Sequence, residues 1–99
     1  MKGLIRNPMV VARKAEGERY LIPLTDDLKE MRKIFRVNDL GWFIWRHLDS
    51  AEDLNALSSL ISREFEVDQV TAHKDAEAFI EHLIQIKALL SAQGDPDAP

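Results

Sequence analysis

The chain has 99 residues, of which 45% are hydrophobic and 30% charged, with a formal net charge of −4 at pH 7. This composition is typical of one small globular domain and excludes an intrinsically disordered chain. The absence of cysteine excludes disulfides and thiolate chemistry, and suits a reducing compartment. No apolar run approaches the roughly 18 residues of a membrane helix, and Asn7 and Pro8 interrupt the only candidate for a signal peptide. We therefore expect a cytoplasmic protein.

Charge is unevenly distributed along the chain. Residues 1–48 contain ten Lys/Arg and six Asp/Glu, whereas residues 49–90 contain three and nine. The first half is therefore basic and the second half acidic. Two interpretations are open: a scattered, solvated surface that favours solubility, or a basic strand edge that attracts an acidic peptide.

The first third of the sequence predicts three short strands, rich in β-branched and aromatic residues. Residues 16–18 supply the first turn, and residues 25–32 predict an open loop or a single helical turn. Because Pro23 has no N–H to donate, we expect the pairing of the second strand to end or bulge near Ile22. The strands are expected over residues 9–13, 19–24 and 33–37.

Two helices are predicted next. Asn38 is a natural N-cap for the first helix, which is almost wholly apolar. The second helix is expected over about residues 51–65, opened by a capping box between Ser50 and Asp53. The apolar positions of the first helix are Leu40, Phe43, Ile44 and Leu48, widened by Trp42 and Trp45.

The third helix is expected to start at an Asp68 N-cap, with Val67 packing back against it, and to continue to about Leu90. Beyond it, residues 91–99 predict a disordered polar tail, so that residues 1–90 form a single domain. The expected core positions of this helix are Ala72, Ala76, Phe79, Leu83, Ile86 and Leu90.

No catalytic or metal site stands out. His47, His73 and His82 lack the spacing of a metal signature, and His73 with Glu77 is better explained as a solvated pair on one helix face. The serines have no Gly-x-Ser-x-Gly turn, and the four glycines are too isolated to form a phosphate loop. We expect no enzyme activity and no cofactor. A small subunit that shares chemistry across an interface stays open as an alternative.

Two segments resemble the PqqD-like family of small proteins from pyrroloquinoline quinone (PQQ) biosynthesis and related systems. Residues 37–50 resemble its LNxTAxxIWxLLDG segment. Phe79-Ile80-x-x-Leu83, followed by Ala88-Leu89-Leu90, resembles its FLxxLxxxGLL ending, with Ala88 in place of the usual Gly. The resemblance covers roughly residues 8–90. The matching positions are Asn38, Ile44, Trp45, Leu48, Asp49, Phe79, Leu83, Leu89 and Leu90, with Val37, Gly41, Ser50 and Ile80 as near-equivalents.

The resemblance implies an α+β, winged-helix-like fold in which a three-stranded antiparallel sheet precedes three α-helices. This arrangement is known as a RiPP recognition element, a peptide chaperone that binds the leader segment of a ribosomally made precursor peptide as an added strand. It also implies a radical S-adenosylmethionine (SAM) enzyme as the usual partner, which carries the iron–sulfur chemistry. Oligomeric state is left open, and no membrane partner is expected.

The same resemblance implies a peptide site along the third strand and the third helix. Helical spacing puts Ile80, Ile84 and Lys87 off the expected core stripe, where the two isoleucines either floor a groove or cover a neighbouring helix or dimer contact. Under the groove hypothesis, the candidate peptide-binding residues are Lys33, Ile34, Phe35, Arg36 and Val37 on the strand, with Ile80, Ile84 and Lys87 on the helix.

A winged-helix DNA-binding protein is the alternative, because the same short strands and three helices build one. Its recognition helix would have to approach phosphates. Residues 68–90 contain four acidic and two basic residues, a net charge of −2 that repels the DNA backbone. We therefore expect no nucleic-acid partner.

Overall fold

Two antiparallel sheets and three helices make up the described part of the chain. The computed structural model describes Met1, residues 3–24 and residues 34–91. No helix within these ranges is long and apolar enough to cross a membrane. In chain order the elements are β1 (Leu4–Arg6), β2 (Val10–Ala15), β3 (Glu18–Pro23), β4 (Phe35–Val37), α1 (Asp39–His47), α2 (Leu54–Phe65), α3 (Gln69–Gln85) and β5 (Leu89–Ser91).

The main sheet has the strand order β2-β3-β4, and all of its pairings are antiparallel. This sheet and the three helices after it confirm the predicted α+β architecture. β2 pairs with the whole of β3, ending with Val10 opposite Pro23, whereas β4 pairs only as far as Phe35 opposite Leu21. Pro23 therefore lies beyond the β4 ladder, where its missing N–H costs no bond on that side.

A second, two-stranded sheet of β1 and β5 was not predicted, and its presence corrects the end of the third helix. α3 stops at Gln85, because Lys87 adopts a left-handed conformation with φ of 67° and the Ala88 N–H donates to the Leu83 carbonyl at 2.8 Å. The expected continuation to Leu90 is wrong. Ser91, predicted to lie in the tail, instead pairs with Leu4, and residues 92–99 lie outside the described residues.

Buried Asn7 ties this second sheet to the end of α3. Its side-chain Nδ2 donates to the Lys87 carbonyl at 2.8 Å, and its backbone N–H donates to the Ala88 carbonyl at 2.9 Å. Its Oδ1 accepts from the Met9 N–H at 2.9 Å. Asn7 thus satisfies backbone polar groups of two segments at once, the turn after α3 and the connection before β2.

The N-caps were predicted correctly for two of the helices. The Asn38 side chain accepts from the Gly41 N–H at 2.8 Å, and Asp68 accepts from the Thr71 N–H at 2.6 Å. For α2 the predicted capping box between Ser50 and Asp53 does not form, so that prediction is wrong. Asp53 has the extended backbone of an N-cap and accepts from Ala56, whereas the Ser50 hydroxyl donates to the His47 carbonyl in the preceding turn.

The core lies between the inner face of the main sheet and the three helices. Leu21 is the fully buried residue of the central strand, and Ser58 is the only fully buried polar residue in the described core, its hydroxyl donating to the Leu54 carbonyl at 2.7 Å. This core fixes the position of β4 relative to α1 and α3. Its largest fully buried aliphatic side chains are Leu21, Ile44, Leu57, Ile61, Leu83 and Leu89.

Candidate functional site

The outer edge of β4 is open. β3 lies on one side of it, and no strand of the described chain pairs with its other side. Phe35 and Val37 turn towards the helices and pack in or against the core, whereas Arg36 between them is exposed. Such an edge presents backbone N–H and C=O groups that an extended peptide can pair with.

A groove of about 470 Å³ lies beside the end of this strand, between the start of α1 and one face of α3. Apolar groups form most of its wall, and polar side chains stand at intervals along it. At the β4 side, the Phe35 ring lies 5.2 Å from the His82 imidazole, measured between ring centroids. The groove is lined by Asn38, Leu40, Gly41, Asp75, Ala78, Phe79 and His82.

The chain from β4 into the first turn of α1 runs in the opposite direction to α3 along this groove. Phe35 meets His82, whereas Gly41, further along the chain, meets Phe79, almost one helical turn before His82. The three residues of β4 span about 7 Å between their end Cα atoms, and the eight residues from Asp75 to His82 span about 10 Å. The open edge and the helix face are therefore of comparable length, which suits a short extended segment lying between them.

Gly41 allows α1 and α3 to approach closely at the floor of the groove. A Cβ atom built on Gly41 would lie 2.9 Å from Cζ of Phe79, a distance that real side chains do not tolerate without movement. The Phe79 ring therefore lies against the backbone of the first turn of α1. This contact sets the depth of the groove.

The first turn of α1 is also tied to the main sheet. Arg19 of β3 forms an ion pair with Asp39, and its guanidinium carbon lies 5.9 Å from the centroid of the Trp42 ring. At the other end of α1, Arg6 donates to the Trp45 carbonyl and to Asp49. Both ends of the helix that borders the groove are thus anchored by arginines from strands.

The strand residues predicted for the site lie at the open edge. Phe35, Arg36 and Val37 form β4, and Ile34 directly precedes it with 56% of its surface exposed. Lys33 lies outside the described residues. An exposed isoleucine beside an unpaired edge is consistent with a docking surface, and the assignment of these residues to peptide binding stays a prediction.

The helix residues predicted for the site do not line the groove. Ile80 is only 5% exposed and belongs to the core, so its placement off the core stripe is wrong. Ile84 is exposed, as predicted, but lies about 180° around α3 from Asp75 and about 140° from Phe79. Lys87 lies in the turn after α3, next to Asn7. The predicted core stripe of α3 was centred too close to the helix face that lines the groove. Ile80 was therefore wrongly placed outside the core.

Sequence reasoning missed the residues of α3 that do line the groove. Asp75, Ala78, Phe79 and His82 follow the i, i+3, i+4, i+7 spacing of one helix face. Phe79 was assigned to the core. The other three residues differ in polarity, so a search for apolar residues at helical spacing does not detect this face. The available signal was this spacing together with an aromatic residue at its centre.

No other cluster in the described residues suggests chemistry. Among them, no group of three or more His, Asp or Glu side chains is arranged to hold a metal ion. Other clefts are a wide one of about 870 Å³ at Met1 and residues 49–54, which adjoins no open strand edge of the described chain, and one of about 240 Å³ beside the anchor of α1 that includes Arg19, Trp42 and Phe65. The backbone edge and its adjoining groove therefore form the strongest candidate site.

Comparisons with known proteins give two matches. The family model described as coenzyme PQQ synthesis protein D (PqqD) matches residues 23–89. A solved structure described as TbiB1 in complex with the TbiA(beta) leader peptide is similar, with a TM-score of 0.70 and 23% identity over 96% of this chain and 100% of that chain. At this identity the likeness establishes the shared fold. No curated protein sequence matches the chain.

Proposed function

This chain belongs to the PqqD family, and we propose that it is a peptide-binding chaperone, a RiPP recognition element, that captures the leader segment of a ribosomally made precursor peptide. The leader adds to the outer edge of β4 as a further strand. The observation that carries the proposal is the unpaired edge of Phe35–Val37 with a groove beside it. The solved structure of similar fold is itself a complex with a leader peptide.

Two kinds of interaction supply the free energy of binding. Backbone hydrogen bonds along β4 give affinity without regard to sequence, and side chains that enter the groove give specificity. Because strand side chains alternate, every second leader residue faces the apolar wall formed by Leu40 and Phe79. A Kd of about 1 μM corresponds to about −8 kcal/mol, which a short strand with two seated side chains can supply.

In this proposal the chain presents the leader and does not itself carry out chemistry. The modification belongs to a separate enzyme of the radical SAM class, as in the systems that this family serves. The absence of cysteine from the sequence supports that division, since cysteine thiolates are the usual ligands of iron–sulfur clusters. We place both proteins in the cytoplasm, where the precursor is made.

The DNA-binding alternative lacks electrostatic support. α3, the helix that would enter a groove of DNA, carries Lys74 against Asp75, Glu77 and Glu81. This face repels phosphates instead of releasing counterions from them. Nothing in the fold or the family match favours DNA binding.

Isothermal titration calorimetry tests the proposed function. The titrant is the leader segment of a precursor peptide encoded beside the gene, and a scrambled peptide of equal composition is the control. We expect saturable binding near 1 μM without added metal or nucleotide. Absence of binding by every neighbouring precursor, or equal binding of the scrambled peptide, would contradict the proposal.

A further inference from the structure

We propose that Asp75 is the specificity-determining residue of the groove and selects a leader with a cationic side chain, arginine or lysine, at one groove-facing position. This inference rests on the proposed function, because it names the class of peptide that the same site accepts. Asp75 is the only carboxylate among the groove-lining residues. Within the part of the chain that the structure describes, its side chain takes part in no hydrogen bond and no ion pair.

Neither helix capping nor an ion pair within α3 explains the charge of Asp75. It lies in the helix interior, where aspartate is an unfavourable residue, and α3 already has Asp68 as its N-cap. The residues three and four positions away from it on the same helix face, Ala78 and Phe79, carry no positive charge. The carboxylate therefore enters the groove with no cation of its own helix face to neutralise it.

Strand addition changes the surroundings of this carboxylate. A peptide between β4 and α3 covers the groove and removes water from its walls. A covered carboxylate without a partner costs free energy, whereas a cation that reaches it forms a charge-assisted hydrogen bond in a partly dry site. An apolar leader residue leaves Asp75 unpaired, and an acidic one repels it.

The rest of the groove fits the stem of a long cationic side chain. Leu40, Ala78 and Phe79 form an apolar wall next to Asp75, along which the methylene groups of arginine or lysine can lie. The half-buried Phe79 ring also offers a face for an arginine guanidinium. Arginine fits the apolar wall, the aromatic face and the carboxylate together. Its planar fork binds a carboxylate through two parallel hydrogen bonds.

The position within the bound strand follows from the direction of the chain from Phe35 to Gly41, which is opposite to that of α3. Groove-facing residues of an added strand are about 7 Å apart. One of them lies beside Phe35 and His82, and the next lies towards the start of α1, roughly level with Ala78 and about one helical turn from Asp75, a distance that a long cationic side chain spans. The cation therefore occupies the second site. The intervening leader residue faces solvent beside Arg36, where an acidic side chain is favoured.

Selection from a displayed library of random peptides, flanked by constant linkers, tests this inference without knowledge of the natural leader. The full chain and its Asp75→Asn variant are used as baits. Glu77→Gln is the matched control, because Glu77 is an exposed carboxylate of the same helix about 160° away from Asp75. We expect Arg or Lys enrichment at one position of the peptides selected by the wild-type chain and by Glu77→Gln, and its loss with Asp75→Asn.

Charge reversal gives a second, independent result with one selected peptide. Asp75→Asn should weaken its binding roughly 10- to 100-fold, the range expected for a hydrogen bond between charged groups. Asp75→Lys should abolish binding of that peptide and restore binding when the peptide's cation is replaced by Glu. Circular dichroism checks that both variants stay folded, as expected for an exposed position.

The outcomes separate this inference from the proposed function. Selection of alternating apolar strands with no cation, or cation enrichment that persists with Asp75→Asn, overturns the role of Asp75 while peptide binding stands. Failure of the wild-type chain to enrich any peptide, together with no binding of neighbouring leaders, counts against the proposed function itself. Restored binding in the charge-reversed pair supports both.

Discussion

The ring of Phe35 lies 5.2 Å from the imidazole of His82, and this contact joins the edge strand β4 to the last third of α3. One partner faces inwards from the sheet, and the other lies on the helix face that lines the groove. The distance between strand and helix is thereby fixed before any peptide arrives. A preformed gap of this kind reduces the ordering cost of binding.

Filling the groove should block peptide binding without unfolding the protein. Ala78→Trp places a large ring at a small, exposed position of the groove wall, so we expect leader affinity to fall at least about 10-fold. Ile84→Trp is the matched control on the opposite flank of α3. It should leave affinity unchanged. Equal losses from both variants, measured by calorimetry, would contradict the assignment of the groove to this face.

Stability should separate Ile80 from Ile84, although both are isoleucines in the same helix. Ile80 is 5% exposed, and Ile80→Ala should lower the free energy of unfolding by about 2–5 kcal/mol. Ile84 is 44% exposed, and Ile84→Ala should change it by less than about 1 kcal/mol. Urea denaturation measures both. Similar losses would mean that α3 is rotated relative to the core we describe.

Because Gly41 contacts Phe79, the effect of Gly41→Ala on the free energy of unfolding should change sign when Phe79 is also replaced. Gly41→Ala should destabilise the wild-type chain by about 1–2 kcal/mol, because the new methyl group meets the ring and outweighs the gain in helix propensity. In a Phe79→Leu background the obstructing ring atoms are absent. There the same substitution should stabilise the fold by up to about 1 kcal/mol. A destabilisation that is the same in both backgrounds would refute the proposed contact.

Acid should weaken the start of α3. Hydrogen bonds from the Thr71 backbone N–H and side chain hold the pKa of the Asp68 carboxyl below its ordinary value. A lowered folded-state pKa contributes stability that is present above the ordinary pKa and is lost as pH falls through the folded value. Melting temperatures between about pH 5 and pH 2 should therefore fall less steeply for Asp68→Asn, which keeps a capping oxygen, than for the wild type. An unchanged slope in Asp68→Asn would contradict the cap's role.

Features that depend only on residues close together in the sequence could be predicted from it. Asn38 and Asp68 cap their helices because a side-chain oxygen three residues before a free N–H is enough. The alternation around Arg36 also follows from strand geometry alone. β5 was missed, because its formation depends on Asn7, some 80 residues away, holding the turn at Lys87. No window of the sequence around Leu89 contains that information.

For a similar reason, only the strand side of the groove could be predicted from the sequence. The strand edge follows from the order of short strands, but the face of α3 opposite it depends on helix phase. Successive residues are rotated by about 100° around a helix, so the helix phase decides whether the flank with Asp75 or the opposite flank with Ile84 faces the groove. The packing of the buried residues of α3 in the core, together with the contacts of Phe79 with Gly41 and of Phe35 with His82, fixes that phase.

Nuclear Overhauser measurements on the labelled protein with unlabelled leader peptide test the central claim most directly. We predict contacts between the leader backbone and the amides of Phe35–Val37, together with contacts from alternate leader side chains to Phe79 and His82. Slowed hydrogen exchange should be confined to the β4 amides that face outwards. A leader that binds with contacts at the β2 edge or on the α2 surface, and none at β4, would contradict the account.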